Sequence, residues 1–153
     1  MAEREYKGGI CFSIEDSATI RGSEYATEKN DCTVRALKAV CGVPYSDAHN
    51  LCRSLGRRSR HGMKGYQLLH MLESSHVYGY KVTRIALPNL FGNMLGRALM
   101  FCRQGRYLVI TTHHAIACLD GTLHDTMTSG PNSRVTMILK FTPTSEWGAK
   151  AGA

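Results

Sequence analysis

Cys32 opens the stretch NDCTVRALKAVCG, a polar loop turning into an amphipathic helix, and far downstream the segment HHAIACLDGTLHDT offers His114 and Asp125. A thiol at the head of a helix lies where unpaired backbone amides and the positive end of the helix dipole favour negative charge, which lowers its pKa and makes it a nucleophile. With Asp31 at the cap position, Cys32 is the first helical residue. The Asp31 carboxylate opposes a thiolate there, so a cationic partner is required, and a protonated histidine supplies one. An imidazole that also donates and accepts the reaction's protons, oriented by a carboxylate, completes the layout of acyl transfer through a thioester. For the developing oxyanion, the backbone amide of Cys32 and the side chain of Asn30 are the nearest donors.

The hairpin selects among seven histidines. Asp120-Gly121 is the strongest short-range signal for a two-residue turn. It sets Leu119 against Thr122, Cys118 against Leu123, Ala117 against His124 and Ile116 against Asp125. Alternation then puts His114, Ile116, Cys118, Leu123 and Asp125 on one face and turns His113 and His124 to the other. His114 and Asp125 become diagonal neighbours, roughly 7–8 Å apart at the backbone and within side-chain reach. A slip of one residue would promote His113 instead. A zinc site built from His113, His114, Cys118 and His124 would have its ligands split between two faces, at a spacing that fits no standard pattern, so no metal and no cofactor are expected.

These side chains need a scaffold. Val34, Leu37 and Cys41 share one helical face, with Gly42 as the stop. Pro44 leads into a second helix, capped by Ser46 or Asp47, with Ala48, Leu51, Cys52 and Leu55 inward and Gly56 at its end. GYQLLHMLESS predicts a third helix and YKVTRIAL a strand; NLFGNMLGRALMFC predicts a fourth helix with Phe91, Leu95, Ala98, Leu99 and Cys102 inward. GRYLVITT, the hairpin and RVTMILKFT are strands. Near the start, Ile10, Phe12 and Ile14 alternate as a short strand that Thr19 to Arg21 can pair with, or the segment is an extended arm. Helices first and an antiparallel sheet afterwards is an α+β arrangement.

With 153 residues, 43% of them hydrophobic, the chain can bury one core and is too short for two comfortable domains. No apolar run is long enough to span a bilayer, and MAEREYKGG lacks the features of a secretory signal, so a cytoplasmic protein with no membrane partner is expected. The six cysteines are then free thiols, with Cys41, Cys52 and Cys102 packed as small hydrophobes. The net charge of +7 draws on Arg53, Arg57, Arg58, Arg60, His61 and Lys64. Arg57 and Arg58 are the binding candidates of that cluster. No aromatic residues interleave the arginines as a stacking platform would need, and nucleic acid is not the expected partner.

NDCTVRAL, the helices after it, and GRYLVITTHHAIACLDGTLHDT resemble the small papain-fold cysteine peptidase-like proteins of tailed bacteriophages, and more distantly the peptidase domains of bacteriocin-exporting transporters. The similarity covers residues 27 to 141. It implies a papain-like α+β fold and a Cys32, His114, Asp125 triad cleaving a peptide or isopeptide amide, in the infected host's cytoplasm or in the virion. Peptidase, deamidase and transglutaminase share that geometry. Papain-like enzymes carry a glutamine ahead of the cysteine as an oxyanion donor; this chain has Ala26 and Thr27 there, and Thr33 after the nucleophile. The alternative is an inactive papain-fold structural or interaction protein of a phage particle, docking on its structural proteins. The expected division is an N-terminal extension or hairpin over 1–29, the hydrolase domain over 30–143 and a tail over 144–153.

Overall fold

A computed structural model describes residues 2–74, 76–87 and 94–144. The chain is α+β. Its strands are β1 (Glu3–Lys7), β2 (Ile10–Ile14), β3 (Tyr80–Arg84), β4 (Arg106–Thr111), β5 (Ala115–Leu119), β6 (Thr122–Asp125) and β7 (Val135–Pro143). They form a seven-stranded sheet in the order β1-β2-β6-β5-β4-β7-β3. The helices are α1 (Ser17–Arg21), α2 (Cys32–Cys41), α3 (Tyr45–Ser54), α4 (Gly65–Leu68), α5 (His70–Ser74) and α6 (Leu95–Ala98).

The sheet is mixed, which corrects the expectation of a purely antiparallel one. β2 pairs with β6 in parallel, Phe12 opposite Leu123 and Ile14 opposite Asp125. The N-terminal hairpin β1–β2 thus extends the sheet instead of forming an arm, and β2 pairs with β1 while Thr19 to Arg21 are helical. Apolar Ile10 and Phe12 explain the docking: both are buried, in one cluster with Leu123 and Ile116.

Both faces of the sheet are covered. On one, Val34 and Leu37 of α2 pack with Leu108, Ala115, Ala117 and Leu139, and Ala48 and Cys52 of α3 join the same cluster behind α2. Leu37 is fully buried, a burial that stabilises by roughly 1.5–3 kcal/mol. On the other face Leu95, Ala98, Leu99 and Cys102 cover Val109, Ile116, Cys118 and Ile138.

Other expectations shift locally. The third predicted helix is two short pieces, α4 and α5. The fourth is α6 followed by a 3₁₀ turn over Leu99–Phe101, with the expected Leu95, Ala98, Leu99 and Cys102 buried; Phe91 lies outside the described residues. Pro44, not Ser46 or Asp47, holds the cap position of α3, its fixed φ suiting the helix entrance. α2 ends where Gly42, at φ 65°, donates its N–H to Lys38 O at 2.9 Å, a left-handed stop that glycine adopts without strain. Thr144, expected in the tail, donates its N–H to Gly79 O at 2.8 Å, while 145–153 lie outside the described residues. Among the described residues no helix is long and apolar enough to cross a membrane.

Candidate active site

Cys32 is the first residue of α2, and its half-buried thiol meets the His114 ring and the backbone N–H of Ala115. Burial pushes the thiol's pKa up; the His114 hydrogen bond and charge, the Ala115 amide and the Arg35 charge together outweigh it, so the net direction is down. The free N–H groups of the first helical turn add to the same field.

His114 donates Nε2–H to Asp125 Oδ2 at 2.6 Å. A carboxylate only accepts, so the proton sits on Nε2 and Nδ1 is the nitrogen left for the sulfur. The Asp125 hydrogen bond and that to Cys32 raise the His114 pKa to about 9, against the lowering effect of burial. Asp125 is itself held: Oδ1 accepts the Thr126 N–H at 2.7 Å and faces Arg35 Nη1 at 3.6 Å. Its side chain is 3% exposed, so the carboxylate presents its charge to the imidazole with little screening by water.

The hairpin sits in the expected register, with Ala117 opposite His124 and Leu119 opposite Thr122. Asp120 and Gly121 have φ 48° and 85°, as a type I′ turn requires. The face assignment needs correcting. Ile116, Cys118 and Leu123 belong to the cluster away from α2, while Ala115 and Ala117 face the helix. Strict alternation would therefore carry His114 away from Cys32. It escapes because it precedes β5, in a turn where its carbonyl accepts the Thr111 N–H at 2.8 Å. Asp125, the last residue of β6, meets it there. His124 lies on the α2 side, with Cys32 and Asp125 around one cavity, and His113 is exposed.

Asp31 occupies the cap position, yet its carboxylate makes no capping bond. It accepts from Arg21 Nε at 2.7 Å and Nη2 at 2.8 Å, from Arg35 Nε at 3.1 Å and from the Tyr45 hydroxyl at 2.8 Å. Burial alone would raise its pKa; these partners, Arg21 first, hold it well below the usual carboxylate range. The anion beside Cys32 is thus neutralised by two guanidiniums, one of which continues to Asp125. The anion's opposition to a thiolate is removed. Arg21, Arg35 and Tyr45 are supporting residues that sequence reasoning missed; the Asp31–Arg35 spacing of one helical turn was the only local signal.

Two expected roles are not supported. Asn30, exposed and at φ 51°, donates Nδ2–H to Arg60 O at 3.2 Å, so its amide is tied to the 57–60 loop. The other donor expected for that position is the backbone N–H of Cys32, at the head of α2. Arg57, expected as a surface binding residue, is buried and donates Nη2–H to Glu28 Oε1 at 2.9 Å and to Lys29 O at 3.1 Å. Glu28 also accepts the Arg60 N–H at 2.6 Å and pairs with His49 Nε2 at 2.9 Å. Burial opposes its ionisation, but these bonds lower its pKa to about 2. This cluster fastens the loop to the segment before Cys32. Arg58 is exposed.

Among the described residues no group of three His, Cys, Asp or Glu side chains converges as metal ligands would. No protein-family model, curated protein or solved structure matches the chain.

Proposed function

We propose that this chain is a papain-like cysteine hydrolase of the kind phages encode, cleaving a peptide or isopeptide amide. The observation that carries this reading is the Cys32 thiol at the head of α2 in contact with a His114 ring that Asp125 holds by Nε2.

The Cys32 thiolate attacks the amide carbon, forming an S–C bond, and the carbonyl electrons move to oxygen, which the Cys32 N–H receives. Collapse of this intermediate breaks the C–N bond as His114 Nδ1–H protonates the leaving amine. Water, deprotonated by the now neutral His114, attacks the thioester and expels the thiolate. Asp125 keeps the ring oriented and stabilises its cation through both steps.

Limiting iodoacetamide near pH 7, followed by peptide mapping, tests the reading. Cys32 and Cys11 are both partly exposed, while the other four cysteines are buried. Preferential labelling of Cys32 over Cys11 is the expected outcome. Labelling that follows exposure alone would instead favour an inert scaffold.

A further inference from the structure

The cavity beside Cys32 has a charged wall that the reaction above leaves unused. It encloses about 460 Å³ along the flank of α2, where Ala36, Ala39 and Gly42 keep the helix surface low. Ser13 of β2 and His124 of β6, paired across the parallel strands, line it from the sheet. Glu15 lines it too, and its backbone N–H donates to the Asp125 carbonyl at 3.0 Å, which joins its main chain to the end of β6.

Arg35 and Asp125 are paired: Arg35 bridges Asp31 and Asp125, and Asp125 holds His114. Lys38 keeps its positive charge, its ammonium turned to Ile20 O at 3.1 Å. Burial and the Arg4 charge lower the His124 pKa against the raising effect of the nearby Glu15 charge, and the net direction keeps that ring neutral near pH 7. Among the described residues no hydrogen bond or ion pair engages the Glu15 carboxylate, which is only partly exposed. A partly buried anion with no cation in direct contact favours an arriving cation, gives little to a neutral group and repels an anion.

We propose that Glu15 is a specificity-determining residue for the Cys32 centre: it selects substrates in which the residue next to the reacting carbonyl carries a cationic side chain, an ammonium or guanidinium set against its carboxylate. This rests on the cysteine-hydrolase reading.

The test uses three alkylating probes on the full chain. Lysyl and norleucyl chloromethyl ketones differ only in the side-chain cation, and each reacts by displacement of chloride from its methylene as the Cys32 S–C bond forms. Iodoacetamide, which has no side chain, normalises every variant for thiolate reactivity. In the unmodified protein the normalised lysyl rate is expected to exceed the norleucyl rate about fivefold, the scale of one partly screened ion pair. In Glu15→Gln the ratio falls to near one, and in Glu15→Asp part of it returns. A ratio near one in the unmodified protein, or one that survives Glu15→Gln, overturns the role of Glu15. Absence of selective iodoacetamide labelling at Cys32 overturns the hydrolase reading itself, so the two failures are told apart.

Discussion

The helix α2 carries a thiol at each end, and its surroundings treat the two in opposite ways. Burial raises the pKa of both. At the foot of the helix it pushes Cys41 up to about 12, with only the Arg106 charge opposing it. At the head, the His114 ring, the Ala115 N–H and Arg35 reverse the effect, and Cys32 ends below its ordinary value. The helix dipole favours an anion at the first position and disfavours one at the last. A buried cysteine is inert by default; a cation held in place by its own carboxylate changes that.

Removing the two thiols one at a time should give the largest contrast. Cys32→Ala is expected to remove turnover by at least about 10⁴-fold while the thermal midpoint stays nearly unchanged. Cys41→Ala should keep turnover and lose about 1–2 kcal/mol of stability, read by urea denaturation. A Cys41 variant that lost turnover as completely as Cys32→Ala would erase the distinction.

Replacing the carboxylate behind the imidazole comes next. Asp125→Asn removes the leading cause of the raised His114 pKa, and turnover should drop about 10²–10⁴-fold. The alkylation profile should also move, Cys32 behaving more like an ordinary thiol. Unchanged kinetics would show that Asp125 merely ends a strand.

The pH dependence sharpens the comparison further. Cys32 titrates below its usual 9.0, and His114 is raised from 6.5 to about 9. Turnover should rise as pH climbs through the lowered thiol pKa and fall on the alkaline side near pH 9, when the leaving group loses its proton donor. A raised histidine pKa contributes stability that is fully present below 6.5 and lost as pH climbs through about 9. In Cys32→Ala, where the opposing contribution of the lowered thiol pKa is absent, urea midpoints across that window should decline, and decline less when Asp125→Asn is added.

The smallest effect belongs to Arg35→Gln. Asp31 keeps Arg21 and Tyr45, but the charge felt by Cys32 and Asp125 is gone. The midpoint of the alkylation profile should move up, in line with loss of one partly screened charge. A downward shift would contradict the sign of the Arg35 contribution.

Much of the triad was legible in the sequence because its signals are local. The Asp120-Gly121 turn sets the register that brings Asp125 near His114, and the Cys32 to Gly42 pattern sets the helix that presents the thiol. His114 and Asp125 do meet, but not through a shared strand face. Alternation governs β5 only from Ala115 onward, and His114 turns toward α2 just before it. Long-range partners were not legible. Arg57 reads as one member of a basic surface run until Glu28, distant in sequence, is found to bury it. The clamp on Asp31 draws on Arg21 and Tyr45, from elements on either side of α2. The parallel β2–β6 pairing joins segments far apart in sequence, Phe12 opposite Leu123, and no turn residue announces such a pairing.

That pairing has a practical side. Ala2 lies in the wall of the same cavity as Cys32. Any moiety joined ahead of Ala2, such as an affinity handle or an acetyl cap, would begin its path at the lip of the cleft. Rates measured on such a preparation would report the appendage together with the thiol, and a version labelled elsewhere is the proper reference.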